Sequence, residues 1–313
     1  MAAPSIETDL GRAIGREVRD LKPIETGHSG FTYWVTTDDA EPSVLRLPPP
    51  GARIAGPADV ARQGRIMAAL SAAGLPVPRV LAMSSEPVVD GRPFVLVAKV
   101  DGQRIETVSG SVADEVLAAS AVSVLRRLHG LPLNATGLGE EAPVELGDEL
   151  NRWVRLIERA PAELTERAPA LVEGLRRNLP AQVRPTLVHG DYHYGNLLFK
   201  AGAVAGVLDW EIAQLGQPLI DLASLALVAD AGHRGFGVPG GTRVDTSLEF
   251  LVDAYGAGRS ELRWFLALAY FKLAAIFGYN LMLHRRGKRH DPHNETRARE
   301  VVTYLEAGRE VLG

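Results

Sequence analysis

The chain has 313 residues, 46% of them hydrophobic and 23% charged, which is enough to bury one large core or two smaller ones. Its formal net charge of −4 at pH 7 gives no electrostatic reason to expect nucleic acid or an anionic membrane surface as a partner. The sequence contains no cysteine, which excludes disulfides, thiolate metal sites and cysteine nucleophiles.

The first hundred residues are predicted to form a small α+β unit. Residues 5–21 have the periodicity of an amphipathic helix, and a second helix is predicted over residues 59–73. Five β-rich segments accompany these helices, and Asp90 and Gly91 form the turn between the last two. The segments lie at two places within 24–37, then at 43–47, 77–82 and 92–100. The first 15 residues carry charges and no apolar run of signal-peptide length, so we expect a cytoplasmic protein.

Helical patterns dominate after residue 101, so we predict a sheet-based lobe over 1–100 and a mainly helical lobe over 101–313. The predicted helices lie at 112–129, 146–159, 162–179, 218–231, 243–256, 260–286 and 294–312. Three short strand-like segments interrupt them at 187–188, 197–199 and 204–208. These three segments are joined by short connections and are expected to meet at the mouth of one cleft.

Residues 264–283 form an apolar segment of 20 residues that is long enough to span a membrane. Lys272 lies near its middle, however, and a central lysine costs about 2.5–3.5 kcal/mol on insertion. We therefore predict a buried core helix and no membrane partner, with Lys272 and Asn280 facing a cleft or another helix.

Polar residues concentrate between the three short strands. Asp191 and Asn196 are separated by four residues, and Asp209 follows 18 positions after Asp191. Phosphoryl transfer from a nucleotide needs one carboxylate to accept the proton of the attacking hydroxyl. It also needs amide and carboxylate oxygens that hold Mg²⁺ on the phosphates. His189 and His193 flank Asp191, so a three-ligand metallohydrolase site is an alternative, and any single Asp or Asn here is compatible with an ordinary turn.

The motifs HGDYHYGN at 189–196, LDWE at 208–211 and GQPLIDLA at 216–223 resemble those of the aminoglycoside phosphotransferase superfamily, which shares the protein-kinase-like fold. The resemblance is closer to its acyl-CoA-dehydrogenase-associated branch. It implies a bilobal α+β protein with a five-stranded antiparallel sheet and one or two helices in the N-terminal lobe. It also implies that Asp221 anchors the catalytic loop.

The resemblance implies the following roles for the polar cluster. Asp191 would be the catalytic base, and Asn196 and Asp209 would bind Mg²⁺. His189 would buttress the loop, and His193 would be a candidate electrophile near the transferring phosphate.

The N-terminal lobe would then bind ATP or GTP. A loop over the phosphates is predicted at Gly27, His28, Ser29 and Gly30, where small residues let backbone N–H groups approach the anion. Arg46 stands where kinase-like proteins commonly have a phosphate-binding lysine, and Gln63 replaces the usual acidic partner on the helix. Gln63 is still able to accept a hydrogen bond from Arg46. Ala98 and Val100 would meet the adenine edge at the hinge.

The sequence predicts a phosphotransferase acting on a small-molecule hydroxyl, and the alternative is a non-catalytic, nucleotide-binding pseudokinase, which Gln63 favours. Relatives act on aminoglycosides, macrolides, amino alcohols, sugars and hydroxyacyl-CoA esters, so the acceptor stays open, as does the oligomeric state. Glu211 is expected either to reach a second metal or to begin a helix at the surface. The basic run at 285–289 would either recruit an anionic acceptor or cap a helix end.

Overall fold

The computed structural model describes residues 5–24, 31–38, 41–139, 141–233 and 244–313. Its strands are β1 (Val18–Pro23), β2 (Thr32–Thr37), β3 (Ser43–Arg46), β4 (Val80–Val89), β5 (Arg92–Ala98), β6 (Gln103–Arg104), β7 (Thr186–Val188), β8 (Leu197–Lys200), β9 (Ala203–Val207) and β10 (Gln214–Gly216). Its helices are α1 (Ile6–Ile14), α2 (Val60–Ala72), α3 (Ile105–Val108), α4 (Asp114–His129), α5 (Leu146–Ile157), α6 (Ala168–Arg177), α7 (Leu219–His233), α8 (Leu248–Tyr255), α9 (Arg259–Arg285), α10 (His293–Thr296) and α11 (Ala298–Leu312).

These elements form two compact units, and each unit is built from three separate segments of the chain. The first unit contains Met1–Val112, Leu131–Glu140 and Tyr194–Ala213, and the second contains Ala113–Gly130, Glu141–His193 and Gln214–Gly313. The polar cluster near residue 190 is therefore divided between the units at His193 and Tyr194. The predicted lobes, 1–100 and 101–313, stay a prediction.

The first unit is built on a five-stranded antiparallel sheet with the order β1-β2-β3-β5-β4, as predicted. The predicted turn between β4 and β5 is confirmed, because Asp90 and Gly91 both have a positive φ, 49° and 65°. A buried apolar cluster lies on the sheet and includes residues from α1, β2, β3, β4 and β5: Leu10, Val35, Leu45, Leu47, Val89, Phe94 and Leu96.

The predicted helix over 5–21 is wrong beyond Ile14. Gly15 has φ 67° and its N–H bonds to Gly11, which ends α1 in a left-handed cap. Val18 then starts β1, which pairs with β2 along its length. Val18 and Leu21 are three residues apart, a spacing that fits a helix better than a regular strand. In β1 a bulge between Val18 and Asp20 lets both residues pack against the same apolar cluster.

The three short strands belong to two different sheets, and their expected meeting at the mouth of one cleft stays a prediction. β7 belongs to the second unit, where it pairs with β10, a strand that the sequence did not predict. β8 and β9 form a hairpin in the first unit, with β6 as a third strand beside β8. Strands of two or three residues are too short to show a period, so their pairing was not readable.

The second unit is mainly helical and has α9 at its core. α9 packs against α5, α7 and α11, and most residues from Leu262 to Leu281 along it are buried. In the part of the chain that the structure describes, α9 is the one helix with the length and composition to cross a membrane, yet 67% of its most apolar window is buried within the protein. This burial fits the predicted core helix.

Candidate active site

The second unit holds the first part of the predicted catalytic loop, which begins where β7 ends. Gly190 has φ 84°, a conformation that favours glycine. Asp221, fully buried in the first turn of α7, accepts hydrogen bonds from the backbone N–H groups of His189 (2.7 Å) and Gly190 (2.8 Å). The predicted anchoring of the loop by Asp221 is confirmed.

A second pair of side chains, which sequence reasoning missed, supports Asp221. His129 at the end of α4 places Nε2 3.2 Å from Asp221 Oδ2 and Nδ1 2.8 Å from the hydroxyl of Tyr255. Burial, with the Asp221 carboxylate adding to it, raises the pKa of Tyr255 to about 12. The phenol therefore keeps its proton. A carboxylate only accepts hydrogen bonds, so His129 Nε2 carries the proton that it donates to Asp221, and the phenol is the partner of Nδ1.

His189 lies inside the loop. Its imidazole is fully buried, accepts a hydrogen bond from the N–H of Asp191 (3.2 Å) and meets the ring of Tyr192 edge-on, with the centroids 5.9 Å apart. These contacts fit a side chain that shapes the loop, which is the role implied by the family resemblance.

Asp191 lies between the ammonium of one side chain and the imidazole of another. Its Oδ1 accepts a hydrogen bond from Lys272 Nζ at 2.8 Å, and its Oδ2 lies 3.2 Å from His193 Nε2. Burial opposes ionisation of Asp191, but the Lys272 ammonium and the His193 imidazole outweigh it and hold the pKa well below its ordinary value. The carboxylate is thus an ionised acceptor at neutral pH, and 34% of the Asp191 side chain is exposed.

Asp191 is expected to stabilise the folded chain at neutral pH and to lose this effect in acid. Because its pKa is lower in the folded than in the unfolded chain, the contribution is present above about pH 4 and is lost as the pH falls through the folded-state pKa. Urea unfolding from about pH 7 to about pH 2 measures it. The difference in unfolding free energy between the wild type and Asp191→Asn should shrink in acid, and a constant difference would contradict this assignment.

The first unit carries the candidate metal ligands at the open end of the β8–β9 hairpin. Asn196 precedes β8, and its backbone carbonyl accepts a hydrogen bond from Leu208 N at 2.8 Å. Asp209 directly follows Leu208, the residue that donates this bond. Asp209 has φ 63°, a conformation that costs a non-glycine residue about 1–3 kcal/mol and is concentrated at functional sites.

Arg46 binds the acidic residues of this segment. Its Nη1 donates to Asp209 Oδ1 at 3.0 Å, and its Nη2 donates to Glu211 Oε2 at 2.5 Å. The possible bond between Arg46 and Gln63 is not formed, because the buried Gln63 donates instead to the carbonyl of Pro57 (3.0 Å). A guanidinium gains more from two carboxylates than from one neutral amide, so Glu211 supplies the charge that Gln63 lacks.

The oxygen donors here fit Mg²⁺. Within the described ranges no group of three or more His, Cys, Asp or Glu side chains forms a metal site. Mg²⁺ does not need such a group, because it is commonly bound by one or two carboxylates together with substrate phosphates and water. Asn196 and Asp209 supply ligands of that kind. Glu211 is 31% exposed and lies in a turn bound to Arg46, so the expectation of a helix start is wrong.

The other predicted nucleotide contacts are the loop at 27–30 and the two hinge residues, Ala98 and Val100. Gly27, His28, Ser29 and Gly30 lie outside the described residues. Ala98 ends β5, and its N–H donates to the carbonyl of Arg79 at 2.8 Å, so that donor is already used. The carbonyl of Val100 accepts a hydrogen bond from Gly102 N at 3.1 Å. The adenine contacts of Ala98 and Val100 stay predictions.

The fold is that of the kinase-like phosphotransferases. A putative aminoglycoside phosphotransferase from Ralstonia eutropha matches with a TM-score of 0.71 and 21% identity, covering 94% of this chain and 93% of that one. An aminoglycoside phosphotransferase in a ternary complex with AMP-PNP and hygromycin B matches with a TM-score of 0.66 and 14% identity, covering 98% and 99%.

The sequence places the chain within this class, since the model of the phosphotransferase enzyme family matches residues 20–265. The chain belongs to that family. Acyl-CoA dehydrogenase family member 10 of Mus musculus is 33% identical over 65% of this chain and 20% of its own length. The chain spans 20–36% of the length of the curated relatives it matches.

Proposed function

We propose that this protein transfers the γ-phosphoryl group of ATP or GTP to a hydroxyl group of a small molecule, with Mg²⁺ as cofactor. The observation that carries the proposal is the geometry of Asp191, an ionised carboxylate fixed through Oδ1 and partly exposed. Membership of the phosphotransferase family supports it. So does the similarity in fold to an aminoglycoside phosphotransferase in a ternary complex with AMP-PNP and hygromycin B.

In the proposed reaction the acceptor hydroxyl donates its proton to Asp191 while its oxygen bonds to the γ-phosphorus. The bond from that phosphorus to the bridging oxygen breaks, and the nucleoside diphosphate leaves with the electron pair. His193, beside Oδ2 of Asp191, is placed to donate to negatively charged oxygens that approach the carboxylate. An aspartate held ionised in this way accepts the proton over a wide pH range.

The first unit supplies the groups that handle negative charge. Arg46 offers a planar fork that binds phosphate oxygens in pairs. Asn196 and Asp209 would hold Mg²⁺, which when bound neutralises charge on the β- and γ-phosphates. Glu211 keeps Arg46 oriented through its own hydrogen bond.

Asp209→Asn is expected to raise the Mg²⁺ concentration needed for half-maximal ATP hydrolysis by at least about tenfold, because a neutral amide is the weaker ligand for a hard cation. The measurement is phosphate release from ATP over a Mg²⁺ titration, with water as the acceptor. Asp90→Asn is the matched control, since Asp90 is another aspartate with a positive φ in the first unit. An Mg²⁺ requirement that is the same in both variants would refute the metal assignment.

A second experiment identifies the class of acceptor and distinguishes a phosphotransferase from a pseudokinase. The shift in melting temperature is measured with a non-hydrolysable ATP analogue in the presence of aminoglycosides, macrolides, amino alcohols, sugars and hydroxyacyl-CoA esters. A further shift with one class, followed by transfer of phosphate to it, supports the proposed function. Nucleotide binding without any hydrolysis or transfer would instead favour the pseudokinase.

A further inference from the structure

Lys272 is a buried cation in the middle of the apolar helix α9. Its side chain is 6% exposed. Its Nζ donates to the carbonyl of Gly190 at 2.5 Å and to Asp191 Oδ1 at 2.8 Å, and it lies 5.4 Å from the ring centroid of Trp153. An ammonium taken out of water is costly unless its donors are satisfied, and here a carboxylate, a carbonyl and an indole face surround it.

The indole that faces Lys272 is itself held in place. Trp153 is 5% exposed, and its Nε1 donates to Glu149 Oε1 at 2.7 Å. Glu149 in turn accepts a hydrogen bond from Gln214 Nε2 through its other oxygen, at 2.9 Å. Because this chain of contacts fixes the indole, the ammonium of Lys272 is confined to the side that faces the catalytic loop.

The two oxygens of Asp191 therefore have different surroundings. Oδ1 is bound to Lys272, which is buried, whereas Oδ2 faces His193, whose side chain is 39% exposed. The buried lysine holds the carboxylate through Oδ1, whereas Oδ2 pairs with a partly exposed imidazole, so Oδ2 is the oxygen on the accessible side that an incoming hydroxyl reaches.

We propose that Lys272 is a positioning residue for phosphoryl transfer, holding Asp191 through Oδ1 and the Gly190 carbonyl so that Oδ2 receives the proton of the acceptor. This inference rests on the proposed function.

The pair of Asp191 and Lys272 stabilises the folded chain at neutral pH, but stability alone does not require a lysine in α9. Replacing a buried ion pair by apolar side chains of similar volume is often neutral or stabilising, and most neighbours of Lys272 along α9 are apolar. Lys272 also binds the backbone of Gly190, so it constrains both the carboxylate and the loop that carries it. What the buried charge in α9 provides is a fixed geometry at Asp191, which a catalytic group needs.

The test compares ATP hydrolysis, with water as acceptor and saturating Mg²⁺, in the wild type, Lys272→Met and Lys272→Arg. Lys272→Met should lower kcat by up to about 10²-fold with little change in the KM for ATP, since the group that accepts the proton is misplaced while nucleotide contacts remain. The acid limb of its pH–rate profile should move to higher pH, because Asp191 loses the adjacent cation. Lys272→Arg should restore part of kcat.

Arg263→Met is the matched control, because it removes an exposed cation from the same helix. It should leave kcat and the acid limb unchanged. A Lys272→Met variant that keeps the wild-type kcat and acid limb would overturn the inference, and Lys272→Gln would be measured in the same way if Lys272→Met does not fold. If Asp191→Asn hydrolyses ATP as fast as the wild type, the proposed function fails; if it is inactive while Lys272→Met is unchanged, only the positioning role fails.

Discussion

Asp191→Asn is expected to lower the rate of phosphoryl transfer by about 10²–10⁴-fold while the protein still binds nucleotide, because general base catalysis contributes an effect of that size. Asparagine keeps the shape of the side chain and removes the basic oxygen. The rate is measured by phosphate release from ATP and, once an acceptor is known, by its phosphorylation. Nucleotide binding is measured separately by calorimetry, so that a folded but inactive variant is recognised as such.

Asp230→Asn is the matched control for this substitution. Asp230 also lies in the second unit and accepts a hydrogen bond, from the hydroxyl of Tyr270 at 2.6 Å, but it belongs to α7 and not to the catalytic loop. It should keep the wild-type rate. Unchanged transfer by Asp191→Asn would exclude Asp191 as the base and with it the proposed mechanism.

The sequence proposes the site through spacing, and the structure adds the contacts of its residues. Asp191, Asn196 and Asp209 stand out because phosphoryl transfer needs those residue types along a short segment, and their roles stay predictions. Lys272 is 81 positions from Asp191 and His129 is 92 positions from Asp221. A lysine within an apolar helix shows that a buried partner must exist, but it does not show which carboxylate is that partner.

The nucleotide clamp shows a second limit of the sequence. Arg46 was expected to have Gln63 as its partner, since the related pattern places an acid on that helix. The structure turns Gln63 toward Pro57 and gives Arg46 the carboxylates of Asp209 and Glu211. The charge that Gln63 does not supply is present in two carboxylates from another part of the chain, which neither periodicity nor spacing predicts.

The five-stranded sheet was predictable because its strands are long enough to show their pattern and because the turn between β4 and β5 has a specific sequence. β10 has three residues and β6 has two, and their pairing depends on neighbours distant in the chain. α1 ends early because Gly15 adopts a left-handed conformation. Glycine is also tolerated within helices, so the sequence alone did not show this end.

Asp221→Ala is expected to reduce the free energy of unfolding by about 3–5 kcal/mol, because it leaves the buried N–H groups of His189 and Gly190 without their acceptor. Urea unfolding at neutral pH measures the change. Asp221→Asn should lose less, since its amide oxygen still accepts one of the two hydrogen bonds. Both variants should also lose phosphoryl transfer, because the loop that carries the proposed base is no longer held.

Ser224→Ala tests whether any polar change in this part of α7 has the same effect. Ser224 lies one turn along the helix from Asp221, and its hydroxyl donates to the carbonyl of Ile220 within the helix. Its loss should change the unfolding free energy by less than about 1 kcal/mol. If Asp221→Ala costs no more than Ser224→Ala, the loop does not depend on the buried carboxylate. The fixed position of Asp191 would then have to come from Lys272 alone.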